Sequence, residues 1–468
     1  MRRLAALLLV LQSLPAQTAD RALPLNRFPY SRPSSGLYTM PTAIGDDYFD
    51  GADPRSRIDR HLKIAHPLGA RYLRCAFSWN GIEKQQGRYQ WRFWDDLVAA
   101  AERRGIGLIP YVAYTPEWAA RDRRDFYKQP PRDSRLYANF LRVLAARYRG
   151  RIRSWEIWNE PDNKDYWTGS AAEFADLVTL AARGIRDADP SAVLVLGGMA
   201  NGPSAFFHSL IIDHHIDRVV DVVALHAYPE SWLNERAEAI FDDWLPAIRK
   251  ILPASIDLWL NEMGYADYRL RPDAASIYGT NVFYRYEHTP AYQAAMLFKI
   301  HVMTLAERAV SLSGWYRIDD FPHSDTRIGT DLVNHHLGVV DILGRPKPAF
   351  RAMRFFNRVF REPSAPVESG VRRAVDSQAV VRSFRVGDRR AVVVAWLRSS
   401  RREEVADKSG MLTDSRAESV AIDPPCRPRK LRVYDPEGRR TPVRSLDDVR
   451  LTGGSVFIAE VECAASRE

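Results

Sequence analysis

Eight apolar stretches alternate with amphipathic ones along most of the chain, and this rhythm most constrains the fold. The apolar stretches fall at 36–40, 71–79, 106–112, 152–158, 193–196, 219–225, 257–260 and 311–316. Between and after them, segments at 58–65, 91–104, 134–148, 171–187, 203–213, 236–251, 291–307 and 347–360 carry helical spacing. Short apolar strands separated by helices predict a parallel sheet buried on both faces. Eight such units over about 325 residues predict an α/β fold, a (β/α)8 TIM barrel spanning 36–360. From 362 the rhythm changes to short runs rich in β-branched residues, at 379–384, 391–396, 431–434 and 455–459, with a charged loop at 398–418. These predict a smaller antiparallel β-domain at 362–468, to which the residues after an N-terminal leader can add a strand.

Two of the strand ends carry the same pair of residues. The run Trp155-Glu156-Ile157-Trp158 stops at Asn159-Glu160-Pro161, and Leu258-Trp259-Leu260 stops at Asn261-Glu262. Pro161 cannot donate a ladder hydrogen bond and favours an extended Glu160. In a parallel barrel the carboxyl ends of the strands are where chemistry sits. Counting strands puts Glu160 after the fourth and Glu262 after the seventh. Retaining cleavage of a glycosidic bond needs two carboxyl groups about 5–5.5 Å apart, one a proton donor and one a nucleophile. Glu160 is assigned as acid/base and Glu262 as nucleophile, with Arg74 near the second strand end as the cation beside Glu262. Trp79, Trp118, Trp167 and Trp232 follow strands two, three, four and six, on the face where further sugar subsites would form.

Composition bounds the alternatives. The chain has 468 residues, 46% of them hydrophobic, which suffices for a large core and excludes global disorder. The net charge is +9 with arginines scattered, so nucleic acid is not the expected partner. The segment 265–289 interleaves Tyr268, Tyr278, Tyr284 and Tyr286 with Arg269, Arg271 and Arg285, which suits a substrate wall and leaves an anionic glycan as one option. Of the three cysteines, Cys75 sits in an apolar strand, while Cys426 and Cys463 lie in the C-terminal domain and can pair, as an oxidising compartment allows. Arg2-Arg3 followed by an apolar run at 4–14 reads as a signal peptide, assigned to 1–19, and predicts a secreted or periplasmic protein. After its removal no span of a membrane is expected. No cysteine-histidine metal motif or phosphate-cradling glycine loop is present, so no metal and no cofactor are expected.

Trp158-Asn159-Glu160-Pro161 together with Glu262-Met263-Gly264 resembles the clan of retaining glycoside hydrolases whose catalytic glutamates lie on strands four and seven. Arg74 with Ser78-Trp79, Tyr114-Thr115-Pro116-Glu117-Trp118, His226-Ala227-Tyr228-Pro229, and Gly338 to Asp341 leading to Lys347-Pro348-Ala349-Phe350 are most similar to glycoside hydrolase family 39, which includes bacterial exopolysaccharide-associated enzymes. The resemblance covers about 36–360 and departs from the usual pattern at Ala76 and Asn261. It implies a carbohydrate substrate, an exopolysaccharide among the options, and a double displacement. It further implies that Asn159 meets the sugar 2-hydroxyl, that His226 and Tyr228 line the −1 subsite, that Trp315 forms the platform beneath that sugar, and that Arg74 holds Glu262. The competing reading is a non-catalytic glycan-binding or polysaccharide-assembly protein on the same barrel.

Overall fold

The computed structural model describes residues 36–48, 51, 55–232, 236–268, 288–325, 332–399 and 414–464. The proposed leader at 1–19, most of the aromatic and arginine-bearing segment after Tyr268, and most of the charged loop near 400 lie outside them. Eight parallel strands close into a barrel in sequence order: β1 (Thr42–Asp46), β2 (Tyr72–Ala76), β3 (Gly107–Val112), β4 (Ser154–Ile157), β5 (Val193–Met199), β6 (Val222–Ala227), β7 (Asp257–Met263) and β8 (Val310–Tyr316). The seam pairs β1 with β8, Gly45 opposite Tyr316.

Side-chain alternation along these strands builds two layers. Ala43, Tyr72, Ile109, Val193, Val195, Val222, Ala224, Trp259 and Leu312 fill the barrel interior. Their neighbours, among them Ile44, Leu73, Trp155 and Leu258, face outward into the main core beneath the helices. The helices supply one apolar stripe each. Ala171–Ala188 buries Phe174, Leu177, Val178, Ala181 and Ile185, the spacing of one helical face, and starts at a capping box in which Ser170 and Glu173 satisfy each other's backbone N–H groups.

Three strand assignments change. The first barrel strand is Thr42–Asp46 and not 36–40; Tyr38 instead exchanges backbone hydrogen bonds of 2.9 Å with Ser364, joining the N-terminal segment to the C-terminal sheet. Residues 36–40 are only partly buried, as an edge position allows, whereas β1 is buried at every residue. β5 runs on through Gly197-Gly198 to Met199, and β7 runs on through Asn261-Glu262 to Met263, so these residues lie within strands.

The C-terminal domain has a five-stranded antiparallel sheet and a three-stranded one. The first comprises β9 (Ser364–Val367), β11 (Ala379–Val386), β12 (Arg390–Leu397), β14 (Pro428–Tyr434) and β16 (Phe457–Cys463); the second β10 (Val371–Arg372), β13 (Ala417–Ile422) and β15 (Val449–Thr452). Cys426 and Cys463 form a disulfide, and Cys75 is a buried free thiol. One face of the large sheet, through Phe384, Val392, Val394, Trp396 and Ile458, packs into the same core as the barrel helices. The other face closes over the small sheet through Val393, Ala395, Val420, Val449 and Val461.

Candidate active site

The barrel interior changes from apolar to charged at the carboxyl ends of the strands. Arg74 follows the interior position of Tyr72 along β2, and Glu156 is the interior residue of β4. The Arg74 guanidinium donates to both Glu156 oxygens, Nε to Oε2 at 2.9 Å and Nη2 to Oε1 at 2.8 Å. Its Nη2 also donates to Asn159 Oδ1 at 2.8 Å, and its Nη1 to Glu262 Oε2. Both Arg74 and Glu156 are buried. Burial alone would raise the Glu156 carboxyl, but Arg74 and His226 outweigh it and hold it at about 2. Glu156 also accepts from Asn261 Nδ2 at 2.8 Å and from the Gly198 amide at 3.1 Å. It is therefore the anionic hub beneath the site, a residue that the reading of strand ends did not single out.

Backbone irregularities aim the two glutamates. Between β6 and β7 the pairing passes from Ala224 opposite Trp259 to His226 opposite Glu262, so Leu260 and Asn261 together face Leu225. This bulge lets consecutive residues Asn261 and Glu262 both turn inward, while Leu260 and Met263 stay in the outer core. At β4, Trp158 and Glu160 have φ of +74° and +46°, so Glu160 is left-handed rather than extended. Its amide donates to Gly198 O and its carbonyl accepts from the Asn163 amide, both at 3.1 Å, and these bonds override the preference set by Pro161. A Cβ on Gly198 would lie 1.9 Å from His226 Nε2, which explains why glycine stands where the imidazole enters the barrel.

His226 Nδ1 lies 2.9 Å from Glu160 Oε1 and 3.8 Å from Glu262 Oε2. One oxygen of each glutamate and this nitrogen all fall within 4.8 Å of one another. The two carboxyl groups have different surroundings. Glu160 bonds His226 and accepts from Asn163 Nδ2 at 3.1 Å, and burial raises its carboxyl above the usual range. Glu262 accepts from Arg74 and, at 2.5 Å, from the Tyr228 hydroxyl. Burial opposes a charged His226, yet Glu262, Glu156 and Glu160 raise the imidazole to about 9. Arg74 and His226 are the basic groups that meet Glu156 and Glu262 here.

The structure brings Arg74, Asn159, Glu160, His226, Tyr228 and Glu262 together, as the sequence predicts. It separates Trp79, Trp167 and Trp315 from them. Trp315 points outward, because Leu312 faces the barrel interior and parity turns residue 315 to the outer core, where its ring meets His301. Tyr316 takes the mouth-facing place, 6.4 Å from the Tyr228 ring. Trp79 is fully buried, stacked on Phe140 and bonded to Glu83. Trp167 is also fully buried, its edge against Trp158 and its Nε1 on Ser170 O. Neither presents a face to a ligand. Trp118 is half-buried and anchored through Nε1 to Glu83 O at 2.7 Å. Trp232 is half-buried against Tyr228. Tyr114, which accepts from Asn159 Nδ2 at 3.3 Å, stacks with Tyr166 beside Glu160.

Among the described residues, three groups of acids and histidine have ligand spacing for a cation: Glu160, His226 and Glu262; Asp46, His61 and Asp319; Asp267, Asp320 and His336. Basic side chains already meet the carboxylates in each. Arg74 binds in the first, Arg57, Arg60 and Arg317 in the second, and the Lys347 ammonium in the third, 2.9 Å from Asp267 and 3.1 Å from Asp320.

A closed eight-stranded barrel with two carboxyl groups converging at its mouth is the frame of a glycosidase. Residues 103–364 match the sequence model of glycosyl hydrolases family 39, and the chain belongs to that family. It is 27% identical over 206 residues to endo-1,4-beta-xylanase 3 of Hypocrea jecorina, covering 41% of this chain and 53% of that protein. It is 24% identical over 277 residues to a beta-xylosidase of Caldicellulosiruptor saccharolyticus, covering 54% of each. The chain thus spans about half the length of these relatives. Among solved structures, a family 39 glycoside hydrolase from Bacteroides cellulosilyticus WH2 superposes with a TM-score of 0.68 at 17% identity, covering 91% of this chain and 81% of that one. A monomeric beta-xylosidase from Caulobacter crescentus CB15 superposes at 0.61, also at 17% identity, covering 92% and 98%.

Proposed function

We propose that this chain is an exported retaining glycoside hydrolase that cleaves a β-glycosidic bond of an oligo- or polysaccharide by double displacement. The observation that carries this reading is the approach of Glu160 and Glu262 within 4.8 Å in contrasting surroundings. So close an approach suits the direct attack of a retaining site, whose carboxyl groups lie about 5–5.5 Å apart. Glu262, fixed by Arg74 and Tyr228, attacks the anomeric carbon while Glu160 gives its proton to the departing oxygen. The raised carboxyl of Glu160 suits that first role. Glu160, now ionised, takes a proton from water as the water displaces Glu262 and regenerates the site. Asn159, its amide oxygen held by Arg74 and its Nδ2 on the Tyr114 hydroxyl, is the partner assigned to the sugar 2-hydroxyl. The relatives named as xylanase and beta-xylosidase favour a β-xyloside or a related neutral glycoside as first substrate. The Cys426–Cys463 disulfide favours an extracytoplasmic home.

The test is hydrolysis of β-linked aryl glycosides and polysaccharides by wild type and Glu262→Ala, with and without azide. Wild type is expected to cleave at least one substrate, Glu262→Ala to lose turnover, and azide to restore it as a glycosyl azide of inverted configuration. A variant that keeps wild-type turnover overturns the assignment of both glutamates. Binding without turnover by wild type across the panel would favour the glycan-binding alternative.

A further inference from the structure

Asp47 lies one residue beyond β1, half-buried at the barrel mouth. Two tyrosines, on β3 and β8, hold its carboxylate. Tyr111 of β3 donates to Oδ1 at 2.5 Å, and Tyr316 of β8 donates to Oδ2 at 2.7 Å. Both tyrosines also border the reacting groups. The Arg74 guanidinium sits 4.5 Å from the Tyr111 ring centre while donating to Glu262, and Tyr316 adjoins Tyr228, which donates to Glu262 from the other side. Asp47 thus faces the space above Glu262.

The strand order fixes which part of a sugar would meet it. In a ring of eight strands β8 lies opposite β4, and β1 is the neighbour of β8. Glu160, after β4, must reach the oxygen on the anomeric carbon, so the leaving group departs toward that rim. The far side of the same sugar ring, carrying the 3- and 4-hydroxyls, then points to the rim of β8 and β1. A carboxylate has about four lone-pair sites, and the two tyrosine bonds leave others to accept from hydroxyls. The same carboxylate repels a sugar that brings its own negative charge.

We infer that Asp47 is a specificity-determining residue of the −1 subsite, accepting hydrogen bonds from the hydroxyls of a neutral sugar on the side remote from Glu160 and excluding a uronate there. The inference rests on the double-displacement reading and narrows its substrate to a neutral −1 sugar. It places no limit on charge further along the chain.

The experiment compares an aryl β-glucoside, its 3-deoxy and 4-deoxy analogues, and the matching aryl β-glucuronide, on wild type and Asp47→Asn. Wild type is expected to favour the glucoside over the glucuronide in kcat/KM by at least about 100-fold. Losing the hydroxyl that Asp47 meets should lower kcat/KM by about 10- to 100-fold, as loss of a bond to a charged acceptor does. In Asp47→Asn the glucoside slows by a similar factor, the deoxy analogue loses little more, and the preference over glucuronide narrows. Calorimetry of the same sugars on Glu262→Gln, which lacks the nucleophile, repeats the comparison without turnover. Wild type accepting glucuronide as well as glucoside overturns the inference, as does a deoxy penalty equal in wild type and Asp47→Asn. The deoxy series on wild type requires no variant to fold. Azide rescue of Glu262→Ala is independent of Asp47, so an enzyme that is rescued yet indifferent to sugar charge removes this inference alone.

Discussion

Glu156 shows at residue scale how the site depends on a group that touches no substrate. It is fully buried and anionic, and it anchors Arg74, Asn261 and the Gly198 amide at once. Replacing it with Gln leaves Arg74 short of a partner, and breaking such a buried pair costs about 3–5 kcal/mol. Glu156→Gln is therefore expected to melt well below wild type and to turn over at a small fraction of its rate. The pH dependence follows by linkage. Glu156 falls from its ordinary 4.5 to about 2, so its contribution to stability is present above about pH 4.5 and lost as pH falls through about 2. His226 rises from its ordinary 6.5 to about 9, so its contribution is present below about pH 6.5 and lost as pH rises through about 9. Thermal melts across pH should show the acid-side slope in wild type and a flatter one in Glu156→Gln. In turnover, the basic limb should lie above the ordinary glutamate range, because Glu160 must carry its proton to act. The sequence held a sign of Glu156: a carboxylate in the middle of an apolar strand, between Trp155 and Ile157, demands a buried cation. Its partner Arg74 is recognisable only once the strands are set side by side.

At the scale of elements, parity and its exceptions decide the site. The eight-unit rhythm was legible because apolar strands and one-sided helices differ in period. Asn159, Glu160 and Glu262 were legible because they follow apolar runs. Which way a side chain points near a strand end was not legible, since one bulge inverts it. The bulge opposite Leu225 turns Glu262 inward, whereas regular alternation from Leu312 onward in β8 turns Trp315 outward and Tyr316 inward. The left-handed turn at Glu160 was equally hidden, because Gly198 and Asn163, which hold it, are distant or downstream. The pair of substitutions Trp315→Ala and Tyr316→Phe separates the two faces. Trp315→Ala is expected to lose about 3–5 kcal/mol of stability as a core truncation. Tyr316→Phe should fold like wild type and lose turnover, through the freed Asp47 carboxylate. Chemical denaturation and kcat/KM on the same preparations check both. A Trp315→Ala protein as stable as wild type but defective in sugar binding would return Trp315 to the subsite.

At the scale of the whole molecule, the C-terminal sheet shares its core with the barrel, and Trp396 Nε1 reaches Glu238 of the barrel at 2.9 Å. The Cys426–Cys463 bond closes a separation of 37 residues within that sheet domain. Loop-closure entropy for such a link is about 4 kcal/mol, so Cys463→Ser is expected to lower the melting temperature, and a reductant should lower that of wild type alone. Unchanged melting in both would mean that the sheets need no cross-link. The barrel itself is sealed by its first and last strands, where Gly45 meets Tyr316. That seam gives the molecule a schedule. On the ribosome Arg74, Glu156 and Glu160 emerge first, then Glu262, and only afterwards the strand whose Tyr316 clasps Asp47. Until then β1 presents an open edge, and Asp47 lacks its Tyr316 partner. A chain that ended before β8 would hold both carboxylates and still lack the strand that closes the barrel and brings Tyr316 to Asp47.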